Sequence, residues 1–344
     1  MILITNFKLL KMAILHKEYT KYNKEIKLNE TRKESLKKSR KELRKKVKNW
    51  FSENKPKELP PKFGSQGSFE MNTTINPIPV YDEDGNKLLK YDLDDGIYFI
   101  EKEDEDNRKA IQTWHDWVFE SVDNHTFQDT IRKTTCIRVV FADGHHIDMP
   151  IYYKKEDVIE LAHRSKSWIE SDPKAFYEWF NNLKNPQLER IVRYLKGWKD
   201  FRENKNSSLK LPSGFELTIL AVNNYVEDDN DDVAFRETVR KMNSELNKQN
   251  GFKCLRPTTP KDEDVFTGYS ETRKTNFLNA LSSLLDDLDR AAAEKNFKKA
   301  SEIIRNSVFG DRFPLGEDKD QDDKSRDLGK AISTTPIIPR PYGY

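Results

Sequence analysis

Apolar residues recur at helical spacing near the start of the chain, and alternation takes over beyond the first prolines. From His16 to Asn54 the sequence is rich in Lys and Glu and free of Gly and Pro, with Leu36, Leu43, Val47 and Trp50 or Phe51 as one narrow apolar stripe. That spacing predicts a single long helix, a spine, ended by Pro56, Pro60 and Pro61. Its Lys-rich side reads as a solvated face, because no aromatics are interleaved to stack on bases. Gly64-Ser65-Gln66-Gly67-Ser68-Phe69 reads as a small-residue turn leading into a helix start. Pro77 to Lys90 reads as a hairpin around Asp82–Asn86, and Tyr91 to Ile100 as a strand. Arg108 to Val122 places Ile111, Trp114, Val118 and Val122 on one helix face. Lys133–Ala142 and His146–Tyr153 alternate in β-branched residues and are joined by Asp143-Gly144, a strong hairpin signal.

Beyond Pro150 the pattern turns helical. Ser171-Asp172-Pro173 starts a helix, and Gln187–Arg202 forms another with Leu188, Ile191, Val192, Leu195 and Trp198 inward. Pro212–Val226, Thr272–Ala291 and Phe297–Ser307 are further helices. A chain of 344 residues exceeds one core of typical size, so two lobes are expected. The expected units are an N-terminal helical segment over 1–54 packing on both lobes, a core carrying the acids over 55–165, a helical lobe over 166–315 and a flexible tail over 316–344.

Composition changes this picture little. Charged residues make up 34%, but 60 Lys and Arg nearly cancel 58 Asp and Glu, so net charge says nothing of partners. Cys136 and Cys254 make no disulfide framework, which fits a reducing compartment. Met1–Leu15 carries Lys8 and Lys11, is too short to span a bilayer and lacks the order of a signal peptide; Met12 is an alternative start. A cytoplasmic protein without membrane contact is expected, and nucleic acid is not an expected partner.

The candidate chemistry lies in Tyr91-Asp92-Leu93-Asp94-Asp95-Gly96. On a strand Asp92 and Asp94 share one face, their Cα atoms roughly 6.6 Å apart, while Leu93 points into the core. Two carboxylates within about 4 Å repel by about 4 kcal/mol at an effective dielectric of 20, so such a pair calls for a cation. Asp148, between core residues Ile147 and Met149, supplies a third carboxylate. Three such acids can hold two Mg²⁺ or Mn²⁺ ions about 3.5–4 Å apart, the equipment of nucleotidyl transfer. The same short motifs also occur in ordinary turns, where Asp and Gly are favoured. His145 and His146 invite a zinc reading, but no Cys or His recurs at ligand spacing, and both read as part of the hairpin turn. Lys196 and Lys199 flank Trp198, and either can reach a triphosphate as a point charge.

These residues carry a resemblance. The Gly64–Phe69 stretch, Asp92–Gly96 and His146-Ile147-Asp148-Met149-Pro150 resemble the bacterial cGAS/DncV-like nucleotidyltransferases (CD-NTases). So do Trp168–Lys174 with Trp179-Phe180, Arg193–Asp200, Pro212-Ser213-Gly214 and Phe309–Arg312. The similarity runs with gaps from about Lys62 to Pro314. It implies an α+β, two-lobed polymerase-β-like nucleotidyltransferase fold with a mixed sheet, the spine helix and a helical C-terminal lobe. It also implies joining of NTPs, ATP and GTP foremost, into a cyclic dinucleotide such as cyclic GMP-AMP, with pyrophosphate release and two-metal catalysis. The family serves anti-phage signalling (CBASS), with an effector reached through the product.

By the same resemblance Asp92, Asp94 and Asp148 are the catalytic metal ligands. Gln66, Gly67 and Ser68 meet donor phosphates, and Lys196 grips the triphosphate. Arg138 stands beside the acceptor base, while Ser213 and Asp262 contact nucleotide. One departure is Gly214, where relatives have a second serine, and the segment before Asp92 is longer here. A C-terminal conjugation by an E1/E2-like ligase is also implied, although Tyr344 replaces a terminal glycine. Two alternatives stay open: transfer of a nucleotide to RNA, an antibiotic or a protein, and a non-catalytic nucleotide-sensing module.

Overall fold

The predicted spine is two helices. The computed structural model describes residues 13–81, 84, 85 and 87–321, and within it α1 (His16–Ile26) and α2 (Glu30–Asn54) are separated by an extended Lys27. Three local devices make the break. The Asn29 side chain caps α2 by accepting from the Arg32 amide at 2.9 Å. The Asn76 side-chain amide donates to the carbonyls of Glu25 and Lys27, and Lys27 bridges to Ile75. The two stripes also serve different cores. Tyr19, Tyr22 and Ile26 of α1 join the helical cluster, whereas Leu36, Leu43, Val47 and Phe51 of α2 join the sheet cluster.

The sheet follows. β1 (Pro61–Gln66) runs into a one-turn α3 (Gly67–Glu70); the hairpin β2 (Val80–Tyr81) and β3 (Lys87–Leu88) precedes β4 (Asp92–Glu101). Gly64 to Gln66 are therefore strand, not turn, and the chain reverses at Gly67, whose φ is +71°. Next come α4 (Ile111–Val122), β5 (Thr130–Arg132), β6 (Cys136–Val140), β7 (His146–Lys155), β8 (Val158–Ala162) and β9 (Trp168–Glu170). The main strand order is β1-β4-β7-β6-β5, with β8 on the far half of β7 and β9 beyond it. β4 and β7 are parallel, and the other pairs in this sheet are antiparallel. Leu93, Ile97 and Phe99 of β4 and Ile147, Met149 and Ile151 of β7 are buried in one cluster with α2 and α4. Phe99 stacks on Trp114 with ring centroids 3.9 Å apart.

The second half packs α5 (Pro173–Leu183), α6 (Pro186–Lys205), α7 (Gly214–Asn224), α8 (Asp231–Leu246), α9 (Glu271–Ala293) and α10 (Phe297–Ile304), followed by a π-helical turn, Arg305–Phe309. Asp172 and Asn185 cap α5 and α6, each with Pro in the first turn. α8 is an addition to the helices read from the sequence. Asp231 and Asp232 occupy its first turn, and Phe235, Val239, Met242 and Leu246 bury its inner face. The start of the expected tail is fastened down. Phe297 donates its amide to the Lys319 carbonyl at 3.1 Å, and Asn296 donates to Asp318 and Asp320 at 3.1 Å each. The tail beyond Gln321, with the proposed conjugation site, lies outside the described residues. Among the described residues no helix is long and apolar enough to cross a membrane.

Candidate active site

Strand register assembles the site. In the parallel β4–β7 pair Asp94 stands opposite Asp148, and Asp92 opposite His146. β1 places Gln66 opposite Asp94, and β6 places Arg138 opposite Asp148. Gln66, Asp94, Asp148 and Arg138 thus form one row across four strands. Asp92 lies one step toward the open end of the sheet, on the same face as Asp94. Asp95 points the other way: it is fully buried and pairs with Arg44 of α2, Nε to Oδ2 at 2.7 Å. Arg40 also reaches Ser65, so this basic side of α2 clasps the sheet edge rather than facing only solvent.

Gln66 and Asp94 of this row open on a cleft of about 640 Å³ between the sheet and the helical cluster. Gln66, Gly67, Ser68, Asp92, Asp94 and Lys196 line it. Gly67 is required by space as well as by its φ, since any side chain there strikes Asp94 Oδ2. Gln66 is held by Tyr152, to whose hydroxyl its Nε2 donates at 3.0 Å, and by Tyr98, which donates to its Oε1 at 3.2 Å. Ser68 shares a 2.8 Å hydrogen bond with Thr74.

Electrostatics mark the acids as a strained set. Burial, and then the charges of Asp92 and Asp148, push the Asp94 carboxyl well above the usual carboxylate range. Arg138 answers Asp148 with a bidentate pair, Nε to Oδ1 and Nη2 to Oδ2, both 2.7 Å. That pair raises the arginine further. Across the cleft, Lys196 Nζ donates to the carbonyl and hydroxyl of Thr73 at 3.2 and 3.1 Å. Burial lowers its ammonium to about 8, with Asp92 and Asp94 working against that shift. Gly214 leaves room for it, because a Cβ there would stand 3.1 Å from Lys196 Cε.

Lys196 belongs to a wider arrangement. The segment from Asn72 to Ile78, which crosses from the sheet toward the helices, is gripped almost residue by residue. Buried Arg193 donates to the Asn72 carbonyl, Arg312 to the Asn76 carbonyl at 2.6 Å, and the Ile78 amide donates to Asp200 at 3.0 Å. Lys196, one turn after Arg193 on α6, is part of the same strap.

Three of the expected nucleotide contacts, Arg138, Ser213 and Asp262, are not among the residues that line the cleft. Ser213 caps α7: its hydroxyl accepts from the Glu216 amide while the Glu216 side chain accepts from the Ser213 amide, a complete capping box. Asp262 sits at φ +64° in an exposed turn outside the cleft wall. From the same loop Arg256 and Thr258 do face the cleft, and Arg256 stacks over Phe215 at 5.1 Å. No periodicity or motif announces those two. His146 was readable, since it shares parity with Asp148 on one strand. Rather than turning with the hairpin it opens β7, with Nε2 3.8 Å from Asp92 Oδ2.

A mixed sheet carrying paired acids on adjacent parallel strands, facing a cleft with a half-buried lysine, is the arrangement of a polymerase-β-like nucleotidyltransferase fold. Residues 61–152 match the family model described as "Cyclic GMP-AMP synthase DncV-like, nucleotidyltransferase domain". That segment is similar to the nucleotidyltransferase domain of the bacterial cGAS/DncV-like enzymes. It is 30% identical over 196 residues to the cyclic GMP-AMP synthase of Escherichia albertii, a match spanning 54% of this chain but only 42% of that relative. With the cyclic GMP-AMP synthase of Vibrio cholerae it shares 23% identity over 324 residues, 75% of this chain and 69% of the relative. The crystal structure of Vibrio cholerae DncV in its 3′-deoxy ATP bound form superposes with a TM-score of 0.73 at 21% identity, over 88% of this chain and 96% of that one. At that identity the likeness is one of fold.

Proposed function

We propose that this protein joins two nucleoside triphosphates, ATP and GTP foremost, into a cyclic dinucleotide of the cyclic GMP-AMP type. The observation that carries the reading is the register row, which sets Asp148 beside Asp94, an acid lining the cleft that Lys196 also lines. A merely structural site has no use for a carboxyl that burial and two neighbouring carboxylates push up, as they do Asp94. The names of the two synthases it resembles support the choice of product class.

In this reading Gly67 admits phosphate close to the backbone, and Lys196 leaves Thr73 for the triphosphate. An acceptor ribose hydroxyl attacks the α-phosphorus of the donor. A new P–O bond forms, the bond to the β-phosphate oxygen breaks, and pyrophosphate departs with the electron pair. The hydroxyl proton passes to the carboxylate cluster, and a second round of the same displacement closes the ring. The donor set of Asp92, Asp94 and Asp148 is all oxygen and fits hard divalent cations such as Mg²⁺ or Mn²⁺. Two such ions, when bound, supply acidification of the attacking hydroxyl and charge neutralisation at the phosphates. Arg138 holds Asp148 in place until the acceptor nucleotide gives its guanidinium another partner. The cyclic product then serves as the messenger of an anti-phage system that switches a neighbouring effector.

The test is incubation of the purified protein with all four NTPs and Mg²⁺ or Mn²⁺, with products read by mass spectrometry and linkage-specific nucleases. A cyclic dinucleotide formed from NTPs alone is expected. Incorporation of label only when RNA, an antibiotic or a protein is added would replace this reading by transfer to that acceptor.

A further inference from the structure

The ligand atoms that converge most tightly beside the cleft-lining Asp92 are not those of three carboxylates. Among the described residues, one atom from each of Asp92, His146 and Asp148 lies within 4.8 Å of the other two. Register produces the trio: His146 is the residue opposite Asp92 on the parallel strand, and it precedes Asp148 by two, so all three share one face. His146 is 9% exposed, and its Nε2 faces Asp92 Oδ2 at 3.8 Å, beyond hydrogen-bonding distance. This imidazole nitrogen thus looks across a gap toward the Asp92 carboxylate. That spacing would let Asp92, His146 and Asp148 hold one ion between them after side-chain adjustment.

We propose that His146 is itself a metal ligand, completing with Asp92 and Asp148 a mixed imidazole–carboxylate position that favours Mn²⁺ over Mg²⁺. The proposal rests on the nucleotidyltransferase reading of the acids and adds the identity of the preferred ion. Mg²⁺ takes oxygen ligands and keeps several waters, whereas imidazole is a good ligand for transition ions, with affinity rising along the first row. Arg138 does not block the position. Its two hydrogen bonds use one lone pair on each Asp148 oxygen and leave the second free. Asp94 remains available to the other ion of a two-metal site.

Pulsed electron paramagnetic resonance of the full-length protein with substoichiometric Mn²⁺ tests this, once with Mn²⁺ alone and once with added inorganic tripolyphosphate, which brings no nitrogen. A directly coordinated nitrogen is expected in the Mn²⁺ spectrum, its signal changing when the protein is labelled with ¹⁵N-histidine. His146→Gln should abolish that signal with the circular dichroism spectrum unchanged. It should also lower the ratio of Mn²⁺ to Mg²⁺ affinity about tenfold, while His145→Gln should leave the signal in place. A wild-type spectrum with no nitrogen coupling, a coupling that survives His146→Gln, or no saturable Mn²⁺ site under either condition overturns the proposal. Spectra are read without turnover, so nitrogen coupling in a protein that makes no cyclic product would refute the synthase reading and leave this one standing.

Discussion

Asp94 of β4 stands directly opposite Asp148 of β7, two carboxylates set side by side by a parallel register that joins segments 54 residues apart in the chain. Each acid has a different answer to that proximity. Asp148 is neutralised by Arg138, and Asp94 is left with a raised pKa over Gly67. The four residues make the acids separable by experiment.

Asp92→Ala, Asp94→Ala and Asp148→Ala are each expected to abolish product formation. Their stabilities should differ. Asp94→Ala removes a repelled carboxylate, so the metal-free protein should melt at the same temperature or higher. Asp148→Ala strands the half-buried Arg138 and should cost about 1–3 kcal/mol. Thermal denaturation in chelator ranks the two, and normal product yield from any one folded variant would sink the assignment of that acid.

Gly67→Ala forces a side chain onto Asp94 Oδ2 at a backbone φ of +71°. Activity is expected to fall more than tenfold, with about 1–2 kcal/mol of lost stability from the strained φ. Steady-state kinetics beside a urea titration checks both numbers. Unchanged kcat/KM would mean that Asp94 can retreat without consequence.

Lys196 and Lys199 are predicted to differ. Lys199 is already paired with Glu203 along α6, whereas Lys196 is held only by neutral groups of Thr73. Lys196→Ala should raise the KM for donor NTP or lower turnover about tenfold or more, and Lys199→Ala should have a smaller effect. Equal losses would remove Lys196 from its special place.

The same lysine predicts a pH dependence of stability. Its ammonium titrates near 8 in the fold but near 10.5 when unfolded. Between those values the unfolded chain binds more protons, so stability rises with pH; the penalty is full below 8 and gone by about 10.5. Relative to Lys196→Met, the wild-type protein should therefore gain roughly 2–3 kcal/mol across that window, measured by urea denaturation without nucleotide. Parallel curves would show an ammonium that stays solvated.

Arg193 is expected to be a positioning residue. It is buried, and it donates to the Asn72 carbonyl and, at 2.8 Å, to Asn23. Arg193→Met should cost about 2–4 kcal/mol by leaving the Asn72 carbonyl and the Asn23 side-chain oxygen without this donor. By loosening Thr73 it should also shift the Lys196-dependent stability slope toward lower amplitude. A stability loss with that slope intact would make it structural only.

Local chemistry determined a good deal by sequence alone. Alternation places Asp92, Asp94 and Asp148 on strand faces away from Leu93, Ile147 and Met149; Asp143-Gly144 turns β6 into β7; and Asp172 and Asn185 before proline start α5 and α6. Those signals act within a few residues, where backbone sterics and caps decide the outcome. What only the tertiary structure decided is everything that depends on a distant partner. The break after Ile26 follows from two apolar stripes seeking separate cores, with Asn76 waiting for the freed carbonyls. The parallel register that sets His146 beside Asp92 carries no local mark, nor does the loop that brings Arg256 and Thr258 to the cleft. The capping role of Ser213 likewise became visible only once its hydroxyl was seen to accept from the Glu216 amide. A side chain's identity is written in the chain; its partner is chosen by packing, because the free energy of burial is shared among residues that only the fold makes neighbours.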